Sequence, residues 1–155
     1  MTNTPEYKKP RIVPVAWLLI AATAMVFLNF KLPLVELTPG LSGVPIWLLL
    51  GPGSILLIWS AHKFAKAGTG VMPFSDSTKL ITTGIYRFTR NPMYLGMALF
   101  LAGGALKLGS LGAWIPVPLF IWVIDHQFIR NEEIFLTGIY GDEYRDYLKK
   151  VRRWI

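Results

Sequence analysis

The chain has 155 residues, of which 53% are hydrophobic and 16% charged, against about 25% charged in ordinary soluble domains. So short a chain cannot hide that much apolar surface within itself, whereas lipid can cover it. The absence of cysteine excludes disulfides, thiolate metal sites and cysteine nucleophiles, and the net charge of +7 is confined to segments between apolar runs, which favours anionic headgroups over nucleic acid.

The first apolar run, about 12–30, follows Lys8, Lys9 and Arg11 and so begins like a signal peptide. It is longer than a signal core and lacks a small-residue cleavage site, so a retained span is expected. The second run, about 44–61, contains Gly51-Pro52-Gly53, which neighbouring helices tolerate within a membrane. A charged loop over 62–91 carries Gly68-Thr69-Gly70 and then Thr83, Gly84, Tyr86, Arg87 and Arg90. The third apolar region is too long for one crossing. Its Lys107-Leu108-Gly109-Ser110 sequence supplies a turn, giving a tight hairpin with spans at about 92–107 and 111–128 in preference to a re-entrant loop.

From Asp142 onward, Tyr144, Tyr147, Leu148 and Val151 recur at helical spacing. Asp142 and Glu143 stand at the start of this tail and Lys149, Lys150, Arg152 and Arg153 near its end, matching the helix dipole. The tail, 142–155, reads as an interfacial amphipathic helix that meets anionic membrane lipid, or serves as a lid. Placing both ends of the chain and 62–91 on one side of the membrane puts fourteen of the sixteen Lys and Arg residues there, leaving Lys31 and Lys107 opposite. Residues 1–155 therefore read as a single all-α integral membrane domain. It has about four transmembrane helices, cytoplasmic termini and a cytoplasmic C-terminal amphipathic helix.

Chemistry is expected on the cytoplasmic side. Gly84, Tyr86, Arg87, Arg90, Tyr94 and Gly96 fall within thirteen positions, beside a helix start at Asn91-Pro92. Asn91 suits an N-cap and Pro92 the first turn, and helix-start amides with arginine nearby suit a carboxylate. Asp125, Glu132 and Glu133 lie seven and eight residues apart, so all three could share a helix face and pair with Arg87 or Arg90. His62 and His126 are isolated from each other and no HExxH is present, so no metal site is expected.

The stretch Gly84-Ile85-Tyr86-Arg87-Phe88-Thr89-Arg90-Asn91-Pro92-Met93-Tyr94-Leu95-Gly96 resembles the G-x-Y-x-x-x-R-H-P-x-Y-x-G signature of the isoprenylcysteine carboxyl methyltransferase and phospholipid N-methyltransferase superfamily. Glu132-Glu133 followed by Gly141-Asp142-Glu143-Tyr144-Arg145-Asp146-Tyr147 is similar to the family's second block. The likeness covers about the last half of the chain. It implies a small bacterial-type, inner-membrane enzyme using S-adenosylmethionine, with a lipid-like acceptor entering from the bilayer. Both an isoprenylcysteine carboxylate and a phospholipid amine fit as acceptor. Cofactor contacts would fall on Thr83, Gly84, Tyr86, Arg90, Asn91, Tyr94, Gly96, Glu132 and Glu133. Arg145, Glu133 and Arg153 would be catalytic, with Arg152 a further candidate to orient the acceptor. Asn91 replaces the family's usual histidine, so a titrating base is not expected there. The C-terminal half is also similar in layout to membrane sterol reductases, which use a nicotinamide cofactor. A non-catalytic membrane scaffold is the remaining alternative, and neither reading fixes the oligomeric state.

Overall fold

The computed structural model describes Pro10 and residues 12–37, 44–67 and 80–155. Lys8, Lys9, Arg11, Lys79 and Gly68-Thr69-Gly70 lie outside the described residues.

Helix α1, Pro14–Lys31, starts on a proline whose missing N–H is no loss in the first turn. Its last turn carries Lys31, favourable beside the helix C-terminus. It is largely apolar, yet only 17% of it is buried within the chain, which suits a lipid-facing helix better than the core helix of a water-soluble fold. Helix α2, Val44–Ala67, passes through Pro52 without ending. It continues beyond Ala61, where the sequence reading stopped it, so His62, Lys63 and Lys66 are helical rather than in a loop. Alanine and lysine are good helix formers and carry the helix past its apolar part. Trp47 and Ile58 on α2 are 71% and 70% exposed, again an outward face fit for lipid.

Helix α3, Pro92–Leu108, opens on proline and closes on Gly109, whose φ of 75° only glycine adopts freely. The turn lies where Lys107-Leu108-Gly109-Ser110 placed it. The chain then forms α4, Leu111–Tyr140, a helix of 30 residues. Ser110 caps its start by accepting from the Ala113 N–H at 3.2 Å. At 1.5 Å per residue α4 is about 45 Å long, against a hydrocarbon core of about 30 Å, so it is long enough to cross with about ten residues projecting. The polar stretch from Arg130 to Tyr140 suits that projecting end. Helix α4 is regular except for a break at Ile115-Pro116 and one π-helical turn over Asp125–Ile129. A final helix, α5, spans Asp142–Lys150.

Helix α3 is the centre of the arrangement. Its face bearing Gly96 and Gly103 packs on α2, while Tyr94, Met97, Leu101 and Ala105 join the core formed with Ala21 and Met25 of α1 and Val117, Phe120, Ile124 and Phe128 of α4. A Cβ on Gly96 would stand 2.8 Å from the Gly53 carbonyl oxygen, so the two backbones meet because neither residue has a side chain. At the end away from the charged residues, the Leu37 N–H donates to the Gly109 carbonyl at 2.7 Å, and the Leu111 N–H to that of Val35 at 2.9 Å. These bonds tie the segment after α1 to the α3–α4 turn.

The described residues are helical apart from turns and one isolated bridge, Glu36 with Ser110. Helices α1 and α4 are long and apolar enough to cross a membrane, and α3 is a shorter apolar helix.

Candidate functional site

The start of α3, the projecting end of α4, the buried side of α5 and the tail Val151–Ile155 converge on one cluster. Its scaffold begins with a 3₁₀ turn over Gly84–Arg87. Gly84 has a φ of 69° and lies against the Lys63 side chain of α2. The turn buries Tyr86, whose phenol sits beside Ser60 of α2 and whose carbonyl accepts from the Tyr147 hydroxyl at 2.6 Å. Tyr144 and Tyr147 are 4% and 9% exposed. The aromatic stripe of α5, read from the sequence as meeting lipid or serving as a lid, is packed on the protein. Helical spacing shows that residues share a face but not what covers it.

Two carboxylates of α4 diverge into separate settings. Glu132 Oε2 accepts from the Tyr94 hydroxyl at 3.2 Å. Glu133 faces two guanidiniums: Arg90 Nη1 stands 3.2 Å from its Oε1, and Arg153 donates through Nε at 3.0 Å and through Nη2 to the other oxygen. Arg153 also donates to Asp125 at 3.1 Å, and Asp125 accepts from Arg130 at 3.1 Å.

The π turn explains this division. In an unbroken α-helix, residues eight apart are about 80° out of register. The π turn closes i to i+5 and absorbs one residue, so Asp125 and Glu133 count as seven α-helical steps apart, within about 20° of one face. Glu132 then points about 100° away, toward Tyr94. The expectation that all three acids share a face is corrected: two do, and the third does not.

Charges alternate along Arg130, Asp125, Arg153, Glu133 and Arg90. Three cations against two anions leave one positive charge, which an ionised Glu132 balances. Arg90 is largely buried, and its Nε has no hydrogen-bond partner among the described residues. A buried guanidinium N–H without an acceptor is expensive and invites an anionic ligand.

Burial pushes the Glu132 carboxyl up to about 7, with the Tyr94 hydrogen bond acting against this and the Glu133 charge adding to it. Burial raises Tyr86 and Tyr144 as well, and pushes Tyr147 up to about 12. These phenols therefore remain neutral donors near pH 7. Hydrogen bonding to Glu133 raises Arg153 further, so its charge is fixed.

Arg90, Tyr94, Glu132, Glu133 and Arg153, all expected from the sequence, meet here, with Tyr86 in the supporting turn and Asn91 just before α3. Asn91 does not cap α3 with its side chain. Its Nδ2 instead donates to the Arg153 carbonyl at 3.0 Å. Thr83 is exposed at the mouth of the 3₁₀ turn. Gly96 is turned to α2, where it allows close packing. Arg145 is 60% exposed and pairs within α5 to Asp142. Arg152 is exposed and takes part through its carbonyl, which accepts from the Arg90 N–H at 3.0 Å. Asp125 is a member the expected site set left out, although its spacing from Glu133 was a signal. Thr89 had no signal beyond lying within the matched block, whereas Tyr144 and Tyr147 were marked as a stripe by their helical spacing.

Known proteins resemble parts of the chain. An uncharacterised protein of Haemophilus influenzae is 48% identical over 63 residues, covering 41% of this chain and all of that protein. The protein-S-isoprenylcysteine O-methyltransferase of Schizosaccharomyces pombe is 36% identical over 72 residues, covering 46% of this chain and 30% of the relative. The probable enzyme of that name from Oryza sativa subsp. indica is 35% identical over 78 residues, covering 50% and 41%. The chain thus spans well under half the length of these two methyltransferases. No solved structure matches. The family model for phospholipid methyltransferases covers residues 45–143, from α2 through both glutamates into the start of α5. By that match over most of its length, the chain belongs to the phospholipid methyltransferase family.

Proposed function

We propose that the protein is a membrane methyltransferase that transfers a methyl group from S-adenosylmethionine to a lipid-like acceptor reached from the bilayer. The observation that carries this reading is the buried cluster at the projecting end of the apolar helices. There an arginine lacks an acceptor for one N–H, and an acid stands close to its midpoint of ionisation. The fit to the cofactor is chemical. Arg90 suits the carboxylate of the methionine part, and Glu132 suits its ammonium or the ribose hydroxyls. The relatives named as isoprenylcysteine O-methyltransferases, together with the family itself, support methyl transfer as the reaction class.

When bound, the cofactor supplies an electrophilic methyl on a sulfonium that leaves as a neutral thioether. The chain's own residues supply position and a dry, fixed electrostatic setting. Arg90 and Glu132 orient charges of opposite sign, Tyr94 holds the Glu132 carboxylate, and Tyr86, Tyr144 and Tyr147 close one side against water. An isoprenylcysteine carboxylate would need no base, whereas a phospholipid amine must first lose a proton.

Four spans with both termini and the cluster on the cytoplasmic side agree with the distribution of Lys and Arg. The site then faces the cytoplasm at the membrane surface, within reach of a soluble cofactor and a lipid acceptor. The testing experiment is calorimetry of detergent-purified protein with S-adenosylmethionine, its demethylated product and NADPH. Binding of the first two and not the third is expected. Binding of NADPH alone would refute methyl transfer and point to a reductase.

A further inference from the structure

We infer that Asn91 is a positioning residue that acts through the C-terminal strap Val151–Ile155, holding Arg153 across Asp125 and Glu133 so that Glu132 alone is left to receive a cationic ligand. The inference rests on the proposed binding reading for its ligand and on contacts within the chain for everything else.

Three consecutive residues before α3 grip two consecutive carbonyls of the strap. The Arg90 N–H donates to the Arg152 carbonyl at 3.0 Å. The Thr89 hydroxyl and the Asn91 amide donate to the Arg153 carbonyl at 3.3 and 3.0 Å. Thr89 is buried, and its hydroxyl also accepts from the Asn91 N–H at 3.2 Å, so the grip is closed on itself. With its backbone fixed at two points, Arg153 reaches both acids that the π turn aligns.

The consequence is a division of labour between adjacent glutamates. Both oxygens of Glu133 are taken by Arg153, and Arg90 approaches one of them as well. A third cation gains little from a carboxylate already between two guanidiniums. Among the described residues, the hydrogen bond that Glu132 accepts comes from the neutral phenol of Tyr94, so it keeps its capacity for a cation. Asn91 is suited to this task because its amide donates at any pH. A carboxylate there could not donate to a carbonyl and would compete for the same arginines.

The test uses the full chain in lipid nanodiscs, with Asn91→Ala, Asn91→His, Arg153→Ala and the Asn91→Ala/Arg153→Ala double variant. The first readout, hydrogen exchange at the Arg90 amide, needs no cofactor. The second is affinity for S-adenosylmethionine. Asn91→Ala should speed exchange about tenfold, the factor for about 1.4 kcal/mol, and weaken binding by a similar factor. Asn91→His, which retains an N–H donor, should restore both. The double variant should bind no worse than Arg153→Ala, because Asn91 acts through Arg153. Multiplicative losses in the double variant, or Asn91→His behaving as Asn91→Ala, would overturn the inference. If the wild type fails to bind S-adenosylmethionine, the functional reading falls, while exchange at Arg90 still decides the strap.

Discussion

Glu132 ties function and stability to pH in opposite directions. Its carboxyl is pushed from the ordinary 4.5 up to about 7 by burial. For an acid, a raised value means that the folded state favours the protonated form. The stability it confers is fully present below pH 4.5 and is lost as pH rises through 7, by up to about 3 kcal/mol. Ligand binding runs the other way if the ionised form receives the cofactor's cationic group. The apparent dissociation constant then carries a factor of one plus the ratio of protonated to ionised acid. That factor is about 11 at pH 6 and about 1.1 at pH 8, so affinity should rise about tenfold between them. The assay is calorimetric titration of S-adenosylmethionine at pH 6, 7 and 8, paired with thermal unfolding of the free protein over the same range. Glu132→Gln should flatten both profiles, raise stability at pH 8 and weaken binding there. A flat affinity profile in the wild type, or an unchanged step in Glu132→Gln, would refute the role given to Glu132.

Arg90→Ala should weaken S-adenosylmethionine binding by about 1.5–3 kcal/mol, the range for a hydrogen bond to a charged group. Arg145→Ala should change it by less than about 0.5 kcal/mol, as expected of an exposed pair; equal losses in the two would place Arg145 at the site. Gly96→Ala should lower stability by about 1–3 kcal/mol through the clash with the Gly53 carbonyl, measured by thermal unfolding, while affinity of the folded fraction stays the same. A loss of affinity at unchanged stability would show that Gly96 contacts the cofactor after all. Cysteines placed singly at Glu36 and Lys66, on either side of α2, should label from opposite faces of the membrane; labelling from the same face would remove the four-span arrangement.

The helices were legible where a single residue type decides the backbone. Pro92 starts α3, and Gly109 ends it with a positive φ. The helical stretch of α2 beyond Ala61 was not legible because hydropathy falls at His62, whereas backbone bonding does not follow hydropathy and continues to Ala67. The site was legible as a set of charged and aromatic residues, since Arg90, Tyr94, Glu132, Glu133 and Arg153 stand out in apolar surroundings. Their pairing was not. Which acid meets which arginine depends on a π turn that adds one residue to the helix without a mark in its composition. The aromatic face of α5 was visible in the spacing of Tyr144 and Tyr147, but its cover, the 3₁₀ turn around Tyr86, lies about sixty residues away in the chain.

Asparagine at position 91 now has a physical reading. A histidine there could exchange a proton near neutral pH; the amide cannot, and its donor is spent on the Arg153 carbonyl. Titration in the neutral range therefore passes to Glu132, one helix away and joined to α3 through Tyr94. Hydrogen bonding to Glu133 raises Arg153, which keeps its charge throughout. Transfer to a carboxylate acceptor consumes no base, and its rate would follow Glu132 only through cofactor binding. Transfer to an amine acceptor would add a second dependence at the acceptor itself. Comparing the pH dependence of kcat/KM for cofactor and for acceptor separates these cases. A carboxylate acceptor leaves the acceptor term flat above pH 7, and an amine acceptor makes it rise.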